Sequence, residues 1–232
     1  MSIDRTPQEL LLKNLTQSFV PLLDARYNIE SYCHLDLSIN NKELSTVDVG
    51  CSAELGRYVN SKLLEQGSKI GYGGYNERRD IYSRSVYFNK DNSDNQRNIH
   101  LGIDLWCGAG TPVLAAYPGK VHSFKDNKNH GDYGPCIILQ HEVKGVNFYT
   151  LYGHLSRKSL NTIKVGQQFS AGDIIAHLGE SMENGDYAPH LHFQIIMDME
   201  NYSGDYPGVS SAQNVRHFLT NCPDPNLLIK IY

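Results

Sequence analysis

The alternation of polar and apolar positions is sharpest between residues 188 and 196. His190 and His192 alternate there with Leu191, Phe193 and Ile195. Successive side chains of a β-strand point to opposite faces, so the two imidazoles share one face and the three apolar side chains share the other. The pattern predicts a strand that contributes to a core on one side and to a functional site on the other.

Short apolar segments bounded by turn residues recur from Ile99 onward, with few helical patterns between them. Strands this frequent predict a mainly β fold, an antiparallel β-sandwich or barrel of short strands. A helix near the C-terminus is predicted from Ser211 to Leu219. The clearest strand segments besides 188–196 are residues 119–124, 136–140, 146–152 and 173–178.

Residues 1–68 follow a different pattern. Thr6 and Glu9 form a capping box with proline at the first helical position, which predicts one helix. A second helix is predicted from Ser52 to Gly67. We therefore predict a small α-helical N-terminal appendage at residues 1–68 and a β domain at residues 69–232, with its core at residues 99–196.

Composition narrows the possible partners. The chain has 21 Lys and Arg against 25 Asp and Glu, and no basic run, which argues against a nucleic-acid partner. No apolar run approaches the roughly 20 residues of a membrane span, so no membrane partner is expected. Because the first residues lack the pattern of an export signal, we expect a cytoplasmic location. A chain from which a leader had been removed would instead be periplasmic or extracellular.

Histidines and one aspartate supply the candidate chemistry. His100 and Asp104 lie four positions apart, about 13 Å along a straight strand, but Gly102 permits a bend that brings them together. Catalytic zinc takes three protein ligands from imidazole and carboxylate groups, so His100, Asp104 and one of His190 or His192 make a suitable set. The remaining histidines would act as a base and an oxyanion stabiliser.

The expected reaction is hydrolysis. Bound zinc lowers the pKa of water from ~15.7 to ~7 and so provides a nucleophile at neutral pH. An amide or a similar carbonyl is the expected target.

Three motifs together resemble the M23 (LytM/lysostaphin-type) zinc metallopeptidases, whose members mostly cut glycine-containing cross-links or stem peptides of peptidoglycan. The motifs are His100-x-x-x-Asp104, Tyr152-Gly153-His154-Leu155 and His190-x-His192, and the resemblance covers residues 99–196. It implies one Zn²⁺ per chain bound by His100, Asp104 and His192, with His154 and His190 catalytic. It also implies a peptide or amide substrate, with peptidoglycan fragments among the candidates.

A closer likeness is carried by residues 71–78, 100–105 and 222–226. These segments resemble the M23-type region of multidomain proteins that also contain a class III aminotransferase. Which of His154 and His190 is the base, and whether the N-terminal segment covers the cleft, stay open at this point, as does the oligomeric state. A side chain from residues 1–98 on the metal would indicate a latent enzyme.

Two other functions compete with a peptidase. A sugar-phosphotransferase IIA-like domain has a segment resembling Ile99–Asp104, but it needs neither His190-x-His192 nor an aspartate ligand. A non-catalytic or regulatory zinc-binding M23-like module, acting on an intracellular partner or a small molecule, would be favoured by loss of a ligand, and none is lost.

Three arginines allow two interpretations. Arg78, Arg79 and Arg84 could hold a substrate carboxylate, since the guanidinium fork matches a carboxylate well. Ion pairs with the neighbouring Glu77 and Asp80 explain them equally well.

Overall fold

The computed structural model describes residues 5–84 and 96–232, without the side chains of residues 83 and 84, so Arg84 lies outside the described side chains. The helices are α1 (Pro7–Leu15), α2 (Ser52–Glu65), α3 (Val215–Asn221) and α4 (Asn226–Ile229). The strands are β1 (Tyr32–His34), β2 (Ile70–Gly73), β3 (Arg97–His100), β4 (Ile103–Trp106), β5 (Pro112–Leu114), β6 (Gly119–Asn127), β7 (Gly134–Val143), β8 (Val146–Gly153), β9 (Gln168–Phe169), β10 (Ile174–His177), β11 (His190–Ile196) and β12 (Val209–Ser211).

The fold is mainly β, as the sequence predicts, and is built on one eight-stranded sheet. Its strand order is β1-β2-β4-β11-β8-β7-β6-β9, and two-stranded ladders β10-β5 and β12-β3 lie beside it. The pairings within this sheet are antiparallel, as predicted, except at one edge, where β1 and β2 are parallel. Parallel neighbours need a long crossover, and α2 lies in the connection between them. Within the described residues the strand order does not close into a barrel.

Alternate positions of the central strands face opposite sides of the sheet. Leu191, Phe193 and Ile195 of β11 pack with Ile103 and Leu105 of β4 in the largest apolar cluster. The intervening positions of the same two strands face the other side, where the polar site lies. This two-residue period is what places imidazoles and a carboxylate on one surface while the strands stay anchored in a core.

The N-terminal segment forms the predicted helices and also joins the β core. Both hydrogen bonds of the Thr6–Glu9 capping box are present at the start of α1. Leu12, Leu22 and Leu23 are buried in the largest apolar cluster. The boundary placed at residue 68 stays a prediction, and the sheet continues across it through the pairing of β1 with β2.

The C-terminal helix begins later than the sequence predicts. Residues 209–211 form β12, which pairs with β3, so Ser211 is in a strand and α3 starts at Val215. The local spacing of apolar residues, from which the helix was predicted, gives no information on backbone pairing with a distant strand. None of the described helices has the length and apolar character needed to cross a membrane.

Candidate metal centre and active site

Five polar side chains from separate parts of the chain meet on one face of the sheet. They are His100 at the end of β3, Asp104 on β4, His154 just after β8, and His190 and His192 on β11. All five are buried. They line one cavity of about 130 Å³, which the aromatic rings of Tyr133, Tyr187 and Trp106 also border.

The register of β11 explains how the five residues meet. His192 lies opposite Asp104 of β4 on one side and opposite Gly153 of β8 on the other. Since His154 directly follows Gly153, this register brings a carboxylate and a third histidine to the pair on β11. The site therefore depends on three neighbouring strands that are far apart in sequence.

His100, Asp104 and His192 form the candidate metal centre. Their ligand atoms all lie within 4.8 Å of one another. Oδ1 of Asp104 is 3.2 Å from Nε2 of His100 and 3.3 Å from Nδ1 of His192. The chain bends between β3 and β4, and a Cβ at Gly102 would overlap the carbonyl of Phe193 and the His192 ring. Glycine is required there by close approach.

The hydrogen bonds of the two histidines leave their inward nitrogens as acceptors. Nδ1 of His100 lies 2.8 Å from the carbonyl of Gly74, and Nε2 of His192 lies 2.9 Å from Oε1 of Gln194. A neutral imidazole that donates through one nitrogen presents a lone pair at the other. The two lone-pair nitrogens are 2.8 Å apart.

Oδ1 of Asp104 completes this set of acceptors. The oxygen is buried and receives no hydrogen bond. Two imidazole lone pairs and one carboxylate oxygen therefore converge, and no donor lies between them. A cation stabilises such an arrangement. The donor set of two nitrogens and one oxygen fits zinc and leaves a position open for catalysis.

Arg79 holds the other oxygen of Asp104. Its Nη1 lies 2.5 Å from Oδ2 of Asp104, and its Nε lies 2.5 Å from Oε2 of Glu77. Burial alone would raise the pKa of Asp104, but the nearby His100 and Arg79 outweigh it and hold that pKa well below its usual range. The carboxylate is therefore ionised at neutral pH.

The contact with Asp104 is one that sequence reasoning missed. The ion pair of Arg79 with its neighbour Glu77, which the sequence suggests, is present. The contact with Asp104 depends on the pairing of β2 with β4, in which Gly73 lies opposite Asp104. Arg79 is also one of the side chains from residues 1–98 that reach the site, and Ile81, Tyr82 and Arg97 line the same cavity. A guanidinium has no lone pair to offer a metal, so this contact is not the ligand expected of a latent enzyme.

His154 and His190 stand beside the metal centre with their own fixed tautomers. Nδ1 of His154 lies 2.7 Å from the carbonyl of Asn184, and Nδ1 of His190 lies 2.8 Å from that of Ala188. Their ring centroids are 4.2 Å apart. Burial lowers the pKa of His190 to about 4, and burial together with His190 lowers that of His154 well below its usual range. Both are neutral at pH 7, with Nε2 able to accept a proton.

Known proteins with similar sequences include metallopeptidases. Residues 98–203, which include all five site residues, match the model of peptidase family M23. Over this segment, 106 of the chain's 232 residues, the chain is similar to the M23 peptidases. An uncharacterized metalloprotease of Haemophilus influenzae is 29% identical over 190 residues, which are 75% of this chain and 36% of that protein.

Two further relatives are staphylococcal proteins. Lysostaphin of Staphylococcus staphylolyticus is 32% identical over 131 residues, 55% of this chain and 25% of that protein. The glycyl-glycine endopeptidase ALE-1 of Staphylococcus capitis is 35% identical over 95 residues, 41% of this chain and 24% of that protein. The matched part thus spans about a third of the Haemophilus protein and a quarter of the other two.

Proposed function

We propose that this chain is a zinc metallopeptidase that hydrolyses a peptide or amide bond. The observation that carries the proposal is the buried convergence of His100, Asp104 and His192 on one point, with two neutral histidines beside it. A purely structural zinc site has four protein ligands, whereas three ligands with general bases nearby are typical of a catalytic one. The match of residues 98–203 to the M23 model favours this function over a sugar-phosphotransferase IIA-like domain.

The proposed division of roles follows the tautomers. Zinc held by His100, Asp104 and His192 would polarise the substrate carbonyl and lower the pKa of water. Because Nδ1 of His154 and of His190 each has a backbone carbonyl partner, proton transfer at either residue uses Nε2. The histidine that accepts the proton can return it to the leaving amine. The other can stabilise an oxyanion only while its own Nε2 carries a proton.

A glycine-containing peptide is the proposed substrate class. It is supported by the similarity to a protein named glycyl-glycine endopeptidase. Peptidoglycan fragments are candidates as well, because the M23 resemblance implies glycine-containing cross-links of peptidoglycan as substrates. The likeness to a class III aminotransferase fusion and the cytoplasmic location stay predictions, and either would place a smaller amide or an intracellular peptide among the substrates to test.

A cleavage screen tests this function. The purified chain, saturated with one equivalent of Zn²⁺, is incubated with N-acetyl-tetraglycine amide, glycine-bridged peptidoglycan fragments and small acyl-amides. New amino termini are measured by mass spectrometry, with chelator-treated protein as the control. We expect cleavage of at least one peptide by the zinc-loaded protein alone. A zinc-saturated chain that cleaves none of them would contradict the peptidase and favour the non-catalytic zinc-binding module.

A further inference from the structure

Gln194 is a buried amide next to the metal centre. It lies on β11 two positions after His192, so the two side chains lie on the same face of the sheet. The residue is 0% exposed. A glutamine amide carries one acceptor oxygen and two N–H donors, and burying these groups without partners is unfavourable. The partners of Gln194 therefore decide how its amide is oriented.

The partners of the amide nitrogen fix this orientation. Nε2 of Gln194 lies 3.2 Å from the carbonyl oxygen of Pro207 and 3.1 Å from Sγ of Cys222. A backbone carbonyl can only accept a hydrogen bond, so this position requires an N–H donor. Turning the amide over would bring Oε1 against the carbonyl oxygen of Pro207 with no proton between them. Oε1 therefore faces the other way, towards His192.

The orientation of the amide determines the tautomer of His192. Oε1 of Gln194 lies 2.9 Å from Nε2 of His192 and can only accept, so Nε2 carries the proton. The lone pair is then at Nδ1, which lies 2.8 Å from Nε2 of His100 and 3.3 Å from Oδ1 of Asp104. The hydroxyl of Tyr133 is a more distant neighbour of the same Nε2, at 3.5 Å. Gln194 is therefore the closer partner and the one that fixes the proton.

The other tautomer of His192 would disable the metal centre. A proton on Nδ1 would point at Oδ1 of Asp104 and Nε2 of His100, and Nδ1 would then have no lone pair for a metal. A metal-free site favours that tautomer locally, because Oδ1 of Asp104 otherwise receives no hydrogen bond. Gln194 opposes this tendency by requiring the proton at the opposite nitrogen.

We propose that Gln194 is a positioning residue of the metal centre, which holds His192 in the tautomer whose Nδ1 binds zinc. This inference rests on the metal centre of the proposed function. Partners that fix the ring of a metal-binding histidine typically contribute 10–100-fold to metal affinity. Because Pro207 lines the cavity, the same amide also joins a metal ligand to the wall of the site.

Two substitutions separate the acceptor of Gln194 from its link to Pro207. Gln194→Leu removes the acceptor and both donors, whereas Gln194→Glu keeps an acceptor for Nε2 of His192 and loses only the donors. Both metal-free variants should unfold at lower urea concentration than the wild type, because the carbonyl of Pro207 loses its donor in each. Only Gln194→Leu should lose zinc affinity, by about 10–100-fold in competition with a chromogenic chelator.

Gln140 provides the matched control. It is a half-buried glutamine on the neighbouring strand β7, and its amide contacts Asn147 and no metal ligand. Gln140→Leu should bind zinc like the wild type. Wild-type zinc affinity in Gln194→Leu would overturn the inference, and so would equal losses in Gln194→Leu and Gln194→Glu, which would report only the broken link to Pro207.

The unsubstituted chain provides a test that does not depend on the folding of a variant of Gln194. Nuclear magnetic resonance of ¹⁵N-histidine-labelled, zinc-free protein at pH 8 shows which imidazole nitrogen carries the proton. The His192 signals are those missing from the His192→Gln variant. We expect the proton on Nε2 in the unsubstituted chain and on Nδ1 in folded Gln194→Leu. A proton on Nδ1 in the unsubstituted chain, or on Nε2 in both proteins, would overturn the inference.

These measurements use no cleavage, so failure of this inference and failure of the proposed function are distinguishable. Zinc affinity that depends on Gln194 in a chain that cleaves no peptide would keep the positioning role and refute the peptidase. Peptide cleavage by a chain whose zinc affinity and His192 tautomer do not depend on Gln194 would keep the peptidase and refute the positioning role.

Discussion

Arg79 and Asp104 form a buried ion pair in which Nη1 of the arginine meets Oδ2 of the aspartate. This leaves Oδ1 as the oxygen that faces His100 and His192. The arginine thereby fixes which oxygen a metal would meet and keeps the carboxylate ionised.

Removing Arg79 should weaken metal binding. Partners that orient a metal ligand typically contribute 10–100-fold to metal affinity, so Arg79→Ala is expected to raise the zinc dissociation constant by about that factor. Competition with a chromogenic chelator measures it. The exposed neighbour Arg78 provides the control, and Arg78→Ala should bind zinc like the wild type. Equal affinities of the two variants would show that Asp104 does not depend on Arg79.

Gly74 offers an indirect test of the contacts that hold the ligands, because it lies against Arg79 and its carbonyl is the partner of Nδ1 of His100. Gly74 has φ +99°, and a Cβ there would overlap the guanidinium of Arg79 and the carboxylate of Glu77. Gly110 also has positive φ, +78°, but a Cβ there would meet nothing. Both alanine variants carry similar backbone strain, about 1–2 kcal/mol. Only Gly74→Ala should lose zinc affinity, and comparable losses in both would assign the effect to strain alone.

His154 should be needed for turnover and not for metal binding. Loss of a general acid–base typically costs 10²–10⁴-fold in rate, which is the expected fall in kcat for His154→Asn. Asparagine suits this position because His154 has φ +62°, a conformation that asparagine tolerates better than most residues. The exposed His177 gives the control variant His177→Asn. A zinc-loaded His154→Asn protein with wild-type kcat would assign the base to His190.

Protonation of His141, which lies away from the metal centre, should lower the stability of the metal-free protein in acid. Its Nδ1 lies 2.8 Å from the carbonyl of Pro118 and its Nε2 lies 2.7 Å from Oγ1 of Thr150. Burial lowers the pKa of His141 from 6.5 to about 4. Between these values the unfolded chain binds the proton and the folded one does not, so stability is full above pH 6.5 and falls as the pH drops towards 4.

The shift corresponds to a loss on the order of 3 kcal/mol in the free energy of unfolding. Urea unfolding at pH 7 and pH 4.5 measures it, with His141→Gln as the comparison. The wild type should lose more stability between the two pH values than the variant. The same loss in both proteins would show that His141 is not the residue responsible.

The parts of the fold that depend on local pattern could be predicted from the sequence. Alternation from His190 to Ile196 gives the strand and its two faces, and Thr6 to Glu9 gives the start of α1. The glycine between His100 and Asp104 marks the bend. In each case the information lies within a few residues along the chain.

The remainder depends on which strands become neighbours. The stacking of Trp106 on His190 crosses between the paired strands β4 and β11. Arg79 follows β2 and reaches Asp104 because β2 pairs with β4. Local periodicity does not report such pairing, and it equally missed the parallel edge between β1 and β2. The assignment of ligand and catalytic roles stays a proposal that the geometry supports.

Zinc content of two purified variants tests the central claim most directly. After loading and dialysis, elemental analysis should find one zinc per chain in the wild type and in His154→Ala, and none in Asp104→Ala, because Asp104 supplies the one carboxylate of the proposed ligand set. Circular dichroism confirms that each variant is folded. A folded Asp104→Ala protein that retains a full equivalent of zinc would contradict the proposed metal centre.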